Sequence, residues 1–139
     1  MELTANAIQT VGTNANVIFT DTVVSGNCSI VYREGSGLVT LRGLTNQCRA
    51  RFRVSFGGNI AVPTGETVGP ISLAIAIDGE PVATTTMIST PAAVDEYNNV
   101  FSAIFLDIPR GCCSQISVTN TSDIPVEVQN ANLIIERVA

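Results

Sequence analysis

Apolar and polar residues alternate along most of this chain with the two-residue period of half-buried β-strands. The clearest run is Arg49–Phe56, which places four apolar residues on one face and three arginines and a serine on the other. Gly57 and Gly58 follow it, and we interpret them as the end of that strand. A second run, Ile71–Ile77, leads into Asp78-Gly79, the strongest short-range hairpin signal in the chain. These patterns predict antiparallel strands with one buried face.

Shorter apolar runs follow one another at intervals of roughly ten residues, which is typical of β-sandwiches and barrels. No helical periodicity is sustained anywhere. Roughly nine or ten strands, joined by hairpins and longer crossings, predict an all-β fold: a two-sheet antiparallel jelly-roll sandwich. Besides the two runs above, the predicted strands are Val17–Phe19, Ser29–Tyr32, Leu38–Leu41, Val82–Ile88, Val100–Ile108, Cys113–Asn120, Val126–Val128 and Leu133–Val138.

The first fifteen residues differ from the rest, because they are rich in Asn, Thr and Ala with only scattered apolar positions. We interpret residues 1–15 as an attachment or docking segment and residues 16–139 as one jelly-roll domain. The N-terminal region has no basic, apolar leader, and no stretch approaches the ~18 apolar residues of a membrane span. We therefore expect no secretory signal and no membrane partner, so that a surface would be reached by assembly or by cell lysis.

Composition points to a protein with an extensive interface. Hydrophobic residues make up 45% of the chain and charged residues only 14%, against roughly 25% in ordinary soluble domains. So few charges cover a monomer's surface poorly, which favours an oligomer. All seven basic residues are arginine, against twelve acidic residues, and the net charge is −5. This balance argues against a nucleic-acid partner, which would require a basic face.

Catalytic chemistry has little support in the sequence. The chain contains no histidine, the usual base for a serine or cysteine nucleophile. We expect no enzyme activity, no cofactor and no metal. The four cysteines lack metal-ligand spacing, and we predict buried free thiols, with a disulfide from Cys112 or Cys113 and an intermolecular bridge as alternatives. The cysteines are Cys28, Cys48, Cys112 and Cys113.

Three arginines on one strand face are the sharpest functional feature. Arg49, Arg51 and Arg53 lie about 6.5–7 Å apart on alternate positions and repel one another unless they are matched. They could pair with Glu127 or Glu136 across strands, pair with a neighbouring subunit, or bind an anionic ligand. We favour the ion-pair interpretations.

Two further groups of residues are candidates for contacts. One face of the Ile71–Ile77 strand carries only small residues, Ser72, Ala74 and Ala76, which would let another sheet or subunit approach closely, although tight sandwich packing explains them equally well. A recognition module would instead use loops near Gly57–Gly69 and Thr90–Asn99. There Tyr97, Asp95 and Glu96 are the candidate ligand contacts, although adjacent carboxylates in a polar loop are usually solvated.

Three segments carry a resemblance to a known family. Ile71–Val82 reads as a strand followed by Asp-Gly-Glu-Pro-Val, Ala131–Ala139 reads Ala-Asn-Leu-Ile-Ile-Glu-Arg-Val-Ala, and Asn16–Phe19 reads as an opening strand. These segments resemble the trimeric jelly rolls of the tumour necrosis factor and complement type. They are most similar to the C-terminal domain of BclA-type exosporium collagen-like glycoproteins and to related phage fibre and decoration domains.

The resemblance implies a homotrimer in which one sheet faces the threefold axis. The chain departs from the exosporium proteins, because it has no Gly-X-Y collagen stalk and its Arg49–Arg53 strand is richer in arginine. These departures favour a non-enzymatic virion component, a capsid decoration or head fibre on the virion surface. Residues 1–15 would attach it to a capsid or other particle. The alternatives are a bacterial spore-surface protein and a fibre-tip module that binds a host glycan or receptor.

Overall fold

A computed structural model describes all 139 residues of the protein. It contains twelve β-strands and one short 3-10 helix at Ala83–Thr85. The strands are β1 (Glu2–Ala5), β2 (Gln9–Val11), β3 (Asp21–Val24), β4 (Ile30–Tyr32), β5 (Val39–Arg42), β6 (Arg49–Ala61), β7 (Ile71–Ile77), β8 (Glu80–Pro81), β9 (Met87–Ser89), β10 (Asn98–Pro109), β11 (Cys113–Asn120) and β12 (Val126–Arg137).

The strands form two antiparallel sheets that pack face to face. The front sheet has the order β10–β6–β12–β1–β3, with β2 beside β12, and the back sheet has the order β4–β5–β11–β7–β8, with β9 beside β7. A core of 27 buried residues fills the space between them. Phe19 and Phe56 meet there edge to face, with ring centroids 6.3 Å apart. The predicted all-β jelly-roll sandwich is confirmed.

Strand β6 is longer than predicted, because Gly57 and Gly58 do not end it. The strand continues to Ala61 and pairs with β10 along its whole length. A Cβ atom at Gly57 would lie 3.6 Å from the ring of Phe101, and one at Gly58 would lie 3.5 Å from the Cα atom of Ala131. The ring of Phe101 and the backbone of Ala131 would therefore be in ordinary van der Waals contact with a Cβ atom at these two positions.

The hairpin after β7 is confirmed, but the strand predicted to follow it is wrong. Asp78 and Gly79 both have positive φ angles, 52° and 83°, as a two-residue primed turn requires. The chain pairs with β7 in β8 and again in β9, with the 3-10 helix between them, instead of forming a continuous Val82–Ile88 strand. Thr85 interrupts it, because its hydroxyl accepts a hydrogen bond from Ile75 N at 3.0 Å and donates one to Val82 O at 2.7 Å.

The first fifteen residues are built into the front sheet. Strand β1 lies between β12 and β3, and its Leu3 side chain is fully buried. Strand β2 pairs with β12. Residues 1–15 are thus part of the sandwich itself, and their docking role stays a prediction.

Two further segments near the chain ends differ in detail from their predictions. Val17–Phe19 is not a regular strand, although Val17 N donates to Val118 O at 2.8 Å. The two strands predicted near the end form one strand, β12, which is irregular between Gln129 and Asn132. Asn130 has a φ angle of 55° there, and β12 pairs with β6 on both sides of this irregularity.

The prediction that the cysteines are buried is wrong. All four side chains are exposed, and no disulfide joins them within the chain. They lie in turns or at the first position of a strand, beyond the part of the sandwich where the alternating pattern decides burial.

Candidate assembly surface

Strand β10 forms one edge of the front sheet and carries two exposed aromatic side chains. Phe101, Ala103, Phe105 and Asp107 point outward in alternation, and Phe101 and Phe105 are 64% and 63% exposed. Aromatic side chains usually bury most of their surface. The outer edge of this twelve-residue strand has no partner strand, and long apolar edges of this kind favour pairing with another molecule.

The neighbouring strands extend this surface with small and apolar residues. Phe101 lies opposite Gly57 on β6, and Ala103 lies opposite Ser55. Strand β12 continues the same row with Ile134, which is paired with Ser55 and 40% exposed. We call the outward side of β10, β6 and β12 the front face. On this face the small residues Gly57, Ser55 and Ala103 lie between the two phenylalanines and Ile134.

The arginine row crosses the front face and is matched by carboxylates of the adjacent strands. Arg51 Nε lies 2.8 Å from Asp107 Oδ1, and Arg49 Nε lies 3.1 Å from Asp107 Oδ2. Arg53 Nη1 lies 3.5 Å from Glu136 Oε1 on β12. Two guanidinium groups therefore share one carboxylate, which leaves this part of the front face with an excess of positive charge.

The arginines lower the pKa of Asp107. The hydrogen bond from Arg51 holds the pKa of this carboxyl below its ordinary value, and the charges of Arg51 and Arg49 act in the same direction. The same hydrogen bond raises the pKa of Arg51. Asp107 is therefore firmly ionised at neutral pH and fixes the two guanidinium groups on the front face.

Of the two partners expected for the arginines, the structure brings only Glu136 to the row. Glu127 instead accepts a hydrogen bond from the Tyr97 hydroxyl at 2.8 Å. Asp107 was not named as a partner, although the alternation of Val100–Ile108 already placed it on the same strand face as the phenylalanines. The missing information was the register between β10 and β6, which sets Asp107 opposite Arg51.

The small-residue positions of β7 lie away from the front face. Ala74 and Ala76 are fully buried within a single chain, beside Thr119 and Ser117 of β11. Ser72 is half-buried and its hydroxyl lies 2.6 Å from that of Thr121. The two alanines therefore offer no surface to a neighbouring subunit, which corrects their assignment as interface candidates in favour of tight packing.

The predicted ligand-contact loop is held by contacts within the chain. Burial raises the pKa of Tyr97 to about 12, with the hydrogen bond to Glu127 and the charges of Glu127 and Asp95 acting in the same direction. Asp95 adopts a φ angle of 57° and accepts a hydrogen bond from Thr64. Glu96 is exposed. Tyr97 is thus half-buried with its hydroxyl engaged, rather than presented as a flat platform for a sugar.

Neither metal-site geometry nor a membrane-spanning helix is present. No group of three or more His, Cys, Asp or Glu side chains is arranged to hold a metal ion. The structure has no helix with the length and hydropathy that crossing a bilayer requires.

Comparison with solved structures identifies the fold. The chain is similar to the globular domain of zebrafish complement 1qA (TM-score 0.69, 11% identity, covering 99% of this chain and 95% of that one). It is also similar to the tumour necrosis factor Eiger of S. frugiperda (TM-score 0.68, 14% identity, covering 100% and 92%). Murine APRIL gives a TM-score of 0.62 at 10% identity, covering 97% of both chains.

Sequence comparison adds nothing to this result. No family model matches the chain, and no curated protein matches it. The structural similarities show that the protein has the jelly-roll fold of the tumour necrosis factor and complement globular domains, as its sequence motifs predicted.

Proposed function

We propose that this protein is a non-enzymatic structural module that assembles into homotrimers through its front face. The observation that carries the proposal is the pair of exposed phenylalanines on the unpartnered edge strand β10. The resemblance to jelly rolls of the tumour necrosis factor and complement type implies a homotrimer. The low charge content of 14% is also explained if a substantial part of the surface is buried between subunits.

The geometry suggests how neighbouring copies would meet. The edge strand β10 of one copy would pack against the front face of the next, so that Phe101 and Phe105 contact exposed residues of that face such as Ile134 and Ala103. Such a contact joins two different surfaces, and a rotation of one third of a turn closes it into a ring. Burying two phenylalanine side chains contributes about 1.5–3 kcal/mol each.

A charge on β10 tests this arrangement directly. Phe105→Asp should convert the trimer to a monomer, because it replaces an apolar ring in the contact with a carboxylate whose facing cation, Arg53, is already paired with Glu136. Ile88→Asp is the matched control, since Ile88 is 68% exposed but lies on β9 of the back sheet. Sedimentation velocity should give a monomer for Phe105→Asp and a trimer for Ile88→Asp. A trimeric Phe105→Asp protein, folded by circular dichroism, would exclude the front face as the interface.

We further propose that the trimer is displayed on a virion as a capsid decoration or head fibre, attached through residues 1–15. This role is supported by the resemblance of the Ile71–Val82 and Ala131–Ala139 segments to phage decoration and exosporium domains. Mass spectrometry of purified virions and of purified spores from cells that encode the chain distinguishes the two surfaces. Detection in virions supports the proposal, and detection in spores alone supports the exosporium alternative.

A glycan-binding role is the competing hypothesis. An array of glycans probed with wild type and with Tyr97→Ala separates it from a purely structural role. We expect no binding that depends on Tyr97, because this side chain is half-buried and its hydroxyl is bound to Glu127. Strong binding that is lost in Tyr97→Ala would favour the fibre-tip module.

A further inference from the structure

Four exposed thiols converge on one end of the sandwich. Gly43, just after β5, donates a hydrogen bond to Cys112 O at 2.8 Å and accepts one from Gly111 at 3.1 Å. Cys113 lies opposite Arg42 in the pairing of β11 with β5. On the other side of β5, Arg42 Nη1 lies 3.5 Å from Cys28 O. Exposed free cysteines are uncommon, since cysteine is among the most buried residue types.

Cys48, just before β6, lies at the same end because it contacts the turn between β10 and β11. Its carbonyl oxygen accepts a hydrogen bond from Arg110 N at 3.0 Å. The turn is pressed tightly onto β5, because a Cβ atom at Gly43 would lie 2.2 Å from Pro109 O. The position of Cys48 relative to the turn is therefore fixed by the fold.

The surroundings of Cys48 are rich in guanidinium groups. Arg49 and Arg51 follow it on β6 and share only Asp107, and Arg110 lies across the strand from it without an ion pair. Arg137 crosses the same end of the sandwich, where its guanidinium donates to Leu44 O at 2.7 Å. Arg49 and Arg51 thus line a cavity beside Cys48, and Arg110 and Arg137 lie at the same end of the sandwich.

This cavity opens beside Cys48, and two of these arginines, Arg49 and Arg51, line it. Its volume is about 240 Å³, and its lining residues are Gln47, Cys48, Arg49, Arg51 and Ala139. The backbone oxygen of Ala139 accepts hydrogen bonds there from Arg51 N and from Arg137 Nε, both at 3.2 Å. Ala139 thus brings a backbone oxygen acceptor to the wall of this cavity.

Cys113 provides an internal contrast. It faces Arg42, but the β7–β8 hairpin lies on its other side, where Asp78 Oδ1 accepts a hydrogen bond from Gln115 N at 2.9 Å. A carboxylate thus lies two residues along the strand from Cys113. The two thiols have similar exposure but different electrostatic surroundings.

We propose that the cavity at Cys48 is a thiol-modification site that takes small carboxylate-bearing disulfides. Exposed thiols in electropositive surroundings are the reactive ones in proteins, and a cleft lined by one sign of charge concentrates ligands of the opposite sign. The guanidinium groups of Arg49 and Arg51 would hold the carboxylate of the incoming disulfide beside the sulfur atom of Cys48.

The reaction is a thiol–disulfide exchange. The Cys48 thiolate attacks one sulfur of the disulfide R–S–S–R, a new S–S bond forms to that sulfur, and the old S–S bond breaks. The R–S⁻ thiolate leaves and takes up the proton released by the Cys48 thiol. Cys48 is oxidised and the leaving sulfur is reduced, so no further oxidant is needed.

Two probes of equal length test the charge selectivity. 3,3′-Dithiodipropionate carries two carboxylates and cystamine carries two ammonium groups. Their exchange rates are measured by intact-protein mass spectrometry on a full-length variant that keeps only Cys48, with the other three cysteines changed to serine. Each rate is divided by the rate of the same variant unfolded in urea, which removes the intrinsic reactivity of the probe.

We expect the normalised rate to favour the dianion by about tenfold or more at low salt, and the ratio to fall towards one at 1 M salt, where the Debye length is about 3 Å. A variant that keeps only Cys113 should give a ratio near one. Arg49→Gln or Arg110→Gln in the Cys48-only background should lower the ratio of the dianion rate to the cystamine rate several-fold. Arg33 is an exposed arginine in the β4–β5 turn, and Arg33→Gln should leave this ratio unchanged.

Two results would overturn the proposal. The first is an equal preference of Cys48 and Cys113 for the dianion, or none for either. The second is a covalent dimer of the chain, rather than a mixed disulfide, as the main product at Cys48.

Discussion

Asp107 is the residue on which the charge balance of the front face depends. It accepts hydrogen bonds from Arg51 Nε and Nη2 at 2.8 and 3.1 Å, and it also contacts Arg49. All three side chains are partly exposed, so each single pair contributes little to stability. Removing the shared carboxylate nevertheless leaves two guanidinium groups unmatched on neighbouring positions of one strand.

Asp107→Asn should lower the melting temperature slightly at pH 7, and this difference should disappear in acid. Folding lowers the pKa of Asp107 below its ordinary value of 3.8. The ionised carboxyl therefore stabilises the folded state above that value and ceases to do so as the pH falls through the folded-state pKa. Melting curves of wild type and variant between pH 7 and about pH 2 measure the effect.

The matched control for this prediction is Asp123→Asn, because Asp123 is exposed and forms no ion pair. Its melting temperature should follow that of the wild type at every pH. A deficit of Asp107→Asn that is as large in acid as at pH 7 would mean that the ion pairs are not its cause.

Single residues could be predicted from the sequence only as far as strand alternation reaches. The outward direction of Arg49, Arg51 and Arg53 follows from the two-residue period of their own strand. Their main partner, Asp107, is separated from Arg51 by 56 positions, and a strand pattern alone does not specify the register between two strands. Cys28, Cys48 and Cys112 lie outside the strands and Cys113 is the first residue of β11, so no strand period indicates their burial, and their predicted burial was wrong.

At the level of elements, the long β6–β10 pair determines the shape of the front face. The two strands pair from Arg49–Pro109 to Ile60–Asn98 without interruption. The ring of Phe101 packs over Gly57 and covers the backbone that a side chain at this position would cover. This contact explains how a sequence with two consecutive glycines remains a strand.

Gly43→Ala should destabilise the fold, because the new methyl group would lie 2.2 Å from Pro109 O. Forcing extra volume into a packed site costs about 1–3 kcal/mol. Gly69→Ala is the matched control, since a Cβ atom there has no neighbour within 4 Å. Urea unfolding of the two variants should show a clear loss of unfolding free energy only for Gly43→Ala. Equal stability of the two proteins would contradict the close approach of the β10–β11 turn to β5.

Elements with a strong local signal were predicted well, and elements that depend on distant contacts were not. Ile71–Ile77 and Cys113–Asn120 have the predicted bounds, because their alternation and their turns are encoded locally. Strand β1 has only Leu3 and Ala5 as buried residues, which is too weak a pattern to recognise. It forms because β12 and β3 offer it hydrogen bonds on both sides.

At the level of the whole molecule, the two sheets of the jelly roll differ in the apolar surface that they leave exposed. The outward side of β7 is covered within one chain at Ala74 and Ala76, and β9 of the back sheet exposes a single apolar residue, Ile88, whereas the front face exposes Phe101, Phe105 and Ile134 together. This asymmetry distinguishes a face that is complete in the monomer from one that is completed by another molecule. The trimer is therefore the central claim, and the particle that carries it is a separate proposal.

The solution mass of the wild-type chain, measured by light scattering with and without reductant, tests the central claim most directly. The account predicts a mass near three times 14.6 kDa in both conditions, because apolar burial rather than disulfide formation holds the copies together. A stable species near 14.6 kDa, or a trimer that dissociates on reduction, would contradict it.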